Sequence, residues 1–213
     1  MTTKKLPAQL RLGKHKKGFT LTEIAIVLGI MGLVLGAIWV AAAGVYNNLR
    51  VNNATTAVMQ IAQGIRALYA TSATTGYSSV TDMTSSLITA HAVPNNLVNG
   101  TELSGPFPGG ATVIYATSDG NGFVVTMSAV SKANCISLLT AVAGTGRDPG
   151  LFKADAATGN PSTGDAAATG NALTVPMTLA YASAGSALGT APSTYGGCGI
   201  GDLVKVRFGF SLK

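Results

Sequence analysis

One stretch decides most of what this chain can fold into. From Ile24 to Tyr46 the sequence reads IAIVLGIMGLVLGAIWVAAAGVY, 23 residues without a charge. About 20 apolar residues suffice for a helix to cross a bilayer. A segment of this kind has no polar face to turn to water, so it must end in lipid or against other apolar helices. Ahead of it, residues 1–18 carry Lys4, Lys5, Arg11, Lys14, Lys16 and Lys17 and no acid. Cationic flanks stay cytoplasmic, which places residues 1–18 inside and the rest of the chain across the membrane.

The leader also accounts for the charge. The chain has fourteen basic and eight acidic side chains, a net +6, and six of the fourteen lie in residues 1–18. The remaining eight balance the eight acids. No basic stripe is left downstream to track phosphates, so no specific nucleic-acid partner is evident.

Three readings compete for the junction. A secretory signal peptide would use Ala41-Ala42-Ala43 before Gly44 as its cut site. The apolar run is longer than the roughly 7–15 residues of such a segment, and Glu23 at its head serves no signal peptide. A plain signal anchor explains the lysines and the length but not Glu23. A carboxylate in hydrocarbon costs about 2.5–3.5 kcal/mol at a helix centre and less near an end. The third reading accounts for both. Lys16-Lys17-Gly18-Phe19-Thr20-Leu21-Thr22-Glu23 resembles the cleavage motif of type IV prepilins. The resemblance implies that a prepilin peptidase cuts between Gly18 and Phe19 and methylates the new N-terminus. Glu23 becomes the fifth residue of the mature chain, where the family places its glutamate. A freed α-amino group is largely cationic at neutral pH. Set beside Glu23 of a neighbouring subunit, it would neutralise the carboxylate and fix the register of assembly.

Within the run, Gly29, Gly32 and Gly36 lie close to one helical face, and Gly32 to Gly36 is a GxxxG step. Close helix–helix packing and ordinary glycine tolerance in a membrane helix both fit.

The helical pattern continues past the run. Val51, Ala54, Val58, Ile61, Ala62, Ile65, Leu68 and Tyr69 recur at spacings of three and four, with no proline between Phe19 and Ser72. One helix from Phe19 to about Ala70 would be roughly 78 Å long. Residues 71–110 read as a Ser/Thr/Gly/Pro-rich connection with weak helical content at Met83–His91. Ala111–Thr117 and Phe123–Val130 flank an Asp119-Gly120 turn, a hairpin signal. Cys135 opens a short helix with Ser131 as N-cap and Gly144 as stop. Residues 145–170 read as a surface loop, Leu173–Tyr181 as a non-central strand interrupted by Pro176, and 182–201 as a flexible stretch. Val204, Val206, Phe208, Phe210 and Leu212 alternate with small or charged residues, the clearest strand pattern of all.

There are two cysteines, Cys135 and Cys198. With a cytoplasmic leader the rest faces an oxidising compartment, and a disulfide is the default reading. Two free buried thiols remain the reading for a chain kept in the cytosol. The layout of a cysteine opening a helix after a hairpin, and a second cysteine before a last strand, is similar to the type IVb pilins, of the toxin-coregulated and conjugative thin-pilus kinds. In them the region bounded by the cysteines, here 135–198, is an exposed part of the head. Phe19 as first mature residue is more typical of the type IVa group, whereas the 18-residue leader and the head size favour type IVb.

Catalytic tools are scarce. After cleavage His91 is the one histidine left, no Ser-His-Asp or Cys-His set can be assembled, and no P-loop is present. Asp148, Asp155 and Asp165 lie in what reads as one loop, but not at EF-hand spacing, so solvated turn acids are expected rather than a calcium site. No metal or cofactor is expected, and no enzyme. Asn99-Gly100-Thr101 matches a glycosylation acceptor, a pattern common by chance.

The expected fold is α+β: a long N-terminal helix, with a transmembrane half (19–46) and an amphipathic continuation (47–72), packed on an antiparallel sheet of four to six strands in a head spanning 73–213. The expected function is a major pilin of a type IVb-like pilus, for adhesion, aggregation or conjugation-type contact. It would sit in the inner membrane before assembly and at the cell surface afterwards, with copies of itself, the prepilin peptidase and the assembly machinery as partners. A minor pilin or type II secretion pseudopilin would share the leader and Glu23. A membrane-anchored or secreted binding protein that never polymerises is the alternative from another class.

Overall fold

The computed structural model of the protein describes residues 18–72, 74–167 and 197–213. The basic leader, the expected strand Leu173–Tyr181 and most of the stretch 182–201 lie outside the described residues. The chain divides into two units, Met1–Gly44 and Val45–Lys213.

The described part of the first unit is nearly all helix. Helix α1 spans Leu21–Leu68 and its opening stretch lies here. It starts two residues later than the periodicity suggests, because Thr20 and Glu23 form a reciprocal cap. The Thr20 amide and hydroxyl both donate to Glu23 Oε2 at 2.9 Å, and the Glu23 amide donates to Thr20 Oγ1 at 3.3 Å. This is the Thr-x-x-Glu capping box, which satisfies amides that the first helical turn leaves without partners. Every side chain from Phe19 to Ala41 is exposed, including Leu33 at 75% and Trp39 at 81%. By length and composition this is a helix able to cross a membrane.

The second unit is an α+β head. Within it, α1 turns Val51, Ala54, Ala57, Val58, Ile61, Ala62 and Ile65 inward, all buried. The three-and-four spacing read from sequence is therefore the core face, up to Ile65. Leu68, read as part of that face, is instead 44% exposed, since α1 ends there.

Among the described residues, six antiparallel strands form one sheet: β1 (Val98–Asn99), β2 (Glu102–Ser104), β3 (Ala111–Ala116), β4 (Gly122–Ser131), β5 (Leu151–Ala157) and β6 (Leu203–Ser211), in the order β1-β2-β3-β4-β6-β5. The hairpin read around Asp119-Gly120 is β3–β4, with Thr112 opposite Met127 and Ala116 opposite Phe123. Asp119 holds this turn: its carboxylate accepts the Thr117 hydroxyl and the Asn121 amide, and these bonds lower its pKa, the Thr117 hydroxyl most. β6 pairs with both β4 and β5, so the clearest strand in the sequence lies inside the sheet. Phe208 and Phe210 are buried on the face that also packs Ile61 and Ile65, and Phe210 stacks on Phe123 with ring centres 5.6 Å apart. Helices α2 (Thr84–Thr89) and α3 (Lys132–Ala143) flank the sheet, α3 starting after Ser131 and ending at Gly144 as read from sequence.

The described part of the expected surface loop, residues 145–167, is not loop throughout. It contains β5 and the single turn α4 (Gly164–Ala167). The hairpin β1–β2 was hidden in the connection 71–110, because two- and three-residue strands carry no readable alternation.

Candidate functional site

The candidate site is the opening of α1 and the chemistry that precedes it. Gly18 and Phe19 are exposed and lie before the first helical turn, so the peptide bond between them is in non-helical backbone. Thr20 and Glu23 follow as the cap described above. The capping role of Glu23 was legible in Thr20-x-x-Glu23 and was missed by reading the acid for its charge alone. Gly29, Gly32 and Gly36 face open space: nothing lies within 4 Å of a Cβ placed at any of them. The apolar surface around them, from Ile24 to Val40, is likewise uncovered.

The head holds Cys135 and Cys198 as a buried disulfide, Cα atoms 5.8 Å apart. It joins the first turn of α3 to the short 3-10 turn Cys198–Ile200 that leads into β6. The loop-entropy model gives a bridge of this span about 4 kcal/mol.

Of the three aspartates considered for calcium, Asp155 and Asp165 are buried, Asp148 is partly exposed, and the three do not share a loop. Asp148 binds Arg66 bidentately, at 2.6 and 2.9 Å. The hydrogen bonds from that guanidinium hold the Asp148 carboxyl below the usual carboxylate range. Arg66 Nε also donates to the Ser211 carbonyl, and the guanidinium lies 5.8 Å from the Phe210 ring centre. Asp155 lies in β5 and Asp165 in α4, both buried against cations of β5 and β6. Lys205 Nζ and Arg207 Nη1 reach Asp165 Oδ1 at 2.6 and 3.0 Å, and Arg207 Nε donates to Asp155 Oδ1 at 2.7 Å. Lys153 Nζ donates to the Asp165 carbonyl at 2.7 Å. Burial pushes Asp155 up and Lys153 down to about 8.

This cluster was not read from sequence. The alternation in β6 marks one buried face and, by default, assigns Lys205 and Arg207 to water. The sheet is covered on both sides there, and the acids that satisfy those cations come from β5 and α4, some 40–50 positions earlier in the chain. His91 is exposed in a turn. Among the described residues, no group of three or more His, Cys, Asp or Glu side chains is arranged to hold a metal ion.

Comparison with known proteins addresses the same two regions. Residues 13–39 match the prokaryotic N-terminal methylation motif, and residues 48–184 match the family described as PilS N terminal. The chain is 29% identical over 136 residues to the major structural subunit of the bundle-forming pilus of Escherichia coli O127:H6 (strain E2348/69 / EPEC), covering 62% of this chain and 68% of that protein. The same figures hold for the protein of that description from Escherichia coli O111:H-. An N-methylation motif, an uncovered apolar helix and a six-stranded α+β head with a buried disulfide occur together in one chain that matches this family over most of its length. The chain belongs to the PilS family of type IV pilins.

Proposed function

We propose that this pilin is the major structural subunit of a type IVb-like pilus. A prepilin peptidase would cut between Gly18 and Phe19 and methylate Phe19. The mature chain would wait in the inner membrane and then enter a helical homopolymer through the machinery found there. One observation carries this reading. An apolar helix surface from Phe19 to Leu49 stays open in the chain by itself, directly after a processing motif. Burying such a surface against identical helices removes it from lipid or water, and repeated head-to-tail contacts give an open filament. The bundle-forming-pilus relatives supply the "major" and the type IVb character.

Glu23 has two roles to separate. As a helix cap it needs only an acceptor oxygen, which glutamine also supplies. As the partner of a neighbour's Phe19 amine it needs the charge. Glu23→Gln keeps the cap and removes the charge, whereas Glu23→Ala removes both. The expected outcome is that both variants are processed and membrane-held, and that both give few filaments in the sheared surface fraction. Abundant filaments from Glu23→Gln would reduce the residue to a cap. The mass of the mature N-terminus tests the processing step separately: methyl-Phe19 is expected, and a start at Gly44 would replace the pilin route with signal-peptide export. Dominance of this chain in the sheared fraction distinguishes a major from a minor pilin or pseudopilin.

A further inference from the structure

The sequence contains two Asn-Gly pairs, Asn99-Gly100 and Asn121-Gly122, and the fold treats them in opposite ways. Such pairs are where an asparagine side chain is most readily attacked by the next backbone nitrogen, because glycine puts no side chain in the way and leaves the backbone free to rotate. Both asparagines are exposed. The difference lies in the attacking amide. Gly122 is buried, and its N–H donates to Thr117 Oγ1 at 3.0 Å. Its Cα is hemmed in: a Cβ there would lie 2.6 Å from the Phe210 carbonyl oxygen. Asn121 is itself held, its amide donating to Asp119 Oδ2 at 3.2 Å. Gly100 is exposed, nothing lies within 4 Å of a Cβ placed on it, and it takes the first central position of the two-residue β1–β2 loop with φ +66°. A positive φ at that position favours glycine, and the residue carrying the attacking nitrogen is exposed rather than buried.

We propose that Asn99 is a self-modification site, converting to aspartate and isoaspartate, while Asn121 is protected by the fold. The Gly100 nitrogen forms a bond to Asn99 Cγ, and the side-chain amide leaves as ammonia, carrying the proton lost from Gly100. The resulting succinimide takes up water and opens at either carbonyl. The net change is amide plus water to carboxylic acid plus ammonia, with no oxidant or enzyme. The position gives the change a structural effect. Asn99 lies directly opposite Glu102 in one of the two residue pairs that hold β1 to β2. A carboxylate there sets like charges across the strand pair, which is destabilising. The isoaspartyl form also lengthens the backbone at the end of β1, directly before the two-residue turn. The modification therefore loosens the hairpin at the β1 edge of the sheet as the protein ages.

The test uses the folded, disulfide-bonded protein incubated at mildly alkaline pH, with peptide mapping that separates Asn, Asp and isoAsp forms. The expected result is conversion at Asn99 at least about tenfold faster than at Asn121, the factor for opening one net hydrogen bond. The difference should collapse in denaturant, where both pairs are unrestrained. Equal rates in the folded protein would overturn the protection argument. An Asn99 that stays intact when folded but converts when unfolded would overturn the site itself. Asn99→Asp mimics one product. Its Glu102 and Leu103 amides should exchange with solvent faster than in the parent, and unchanged exchange would remove the structural consequence.

Discussion

At Gly64 the backbone of α1 comes so close to the Ala92 carbonyl oxygen that an added Cβ would lie 2.1 Å from it. On an exposed helix, Gly→Ala is expected to stabilise by up to about 1 kcal/mol. Here the contact is with backbone, which cannot rotate away, so the sign reverses. Gly64→Ala should destabilise the head by about 1–3 kcal/mol, the usual cost of overpacking, read as a lower denaturation midpoint in urea. Asp148 supplies a second residue-scale outcome. Its folded pKa lies below the unfolded value, so its contribution is present above the ordinary carboxylate range and is lost as pH falls through the depressed value. Both partners are partly exposed, which limits the effect to about 0.5–1 kcal/mol. Asp148→Asn should flatten the acid limb of a stability-versus-pH curve by that amount and leave its alkaline limb in place. Neither contact is legible in the sequence. Gly64 is one of 27 glycines, and the partner of Asp148 lies on α1, 82 positions away.

At the scale of elements, legibility follows how local the determining physics is. The core face of α1 from Val51 to Ile65, the β3–β4 hairpin, α3 with its boundaries and β6 were all readable, because period and turn chemistry are written in neighbouring residues. β5 was not. Its sequence LFKADAA places Lys153 and Asp155 where an alternating strand should show either apolar or solvent-facing residues, and the cations of β6 and the acid of α4 help make that burial tolerable. The disulfide is an element-scale device as well, fastening α3 to the turn before β6. Replacing Cys135 and Cys198 together by alanine should lower head stability by about 2–5 kcal/mol, measured by thermal or urea unfolding. Reducing agent should move the parent toward the variant and leave the variant unmoved.

At the scale of the molecule, the two units ask different things of a solvent. The described part of Met1–Gly44 has no side chain buried by the chain itself, whereas Val45–Lys213 contains a continuous core from α1 across the sheet. The processing and assembly roles proposed above for Gly18, Phe19 and Glu23, and the glycines Gly29, Gly32 and Gly36, fall in the first unit. The run of residues 16–23 was legible as a motif because its pattern is local in sequence. What these residues meet in a filament depends on a neighbouring copy and is not written in one chain's geometry. The second unit is legible as a fold and largely silent about contacts beyond itself.

The sheet order also has a temporal side. β6 is the last strand in sequence, yet it lies between β4 and β5, with Gly122 opposite Ser211 and Asp155 opposite Arg207. Set between two partners, residues 203–211 act as a keystone. Before residues 203–211 arrive, β4 lacks one neighbour, β5 lacks its β6 partner, and Asp155 and Asp165 lack the β6 cations that pair with them. Pairings this far apart in sequence close slowly. A chain ending before Leu203 should therefore be protease-sensitive throughout the head rather than trimmed at one edge, as limited proteolysis would show. The same arrangement makes residues 203–211 the wedge that locks two separately made parts of the head together.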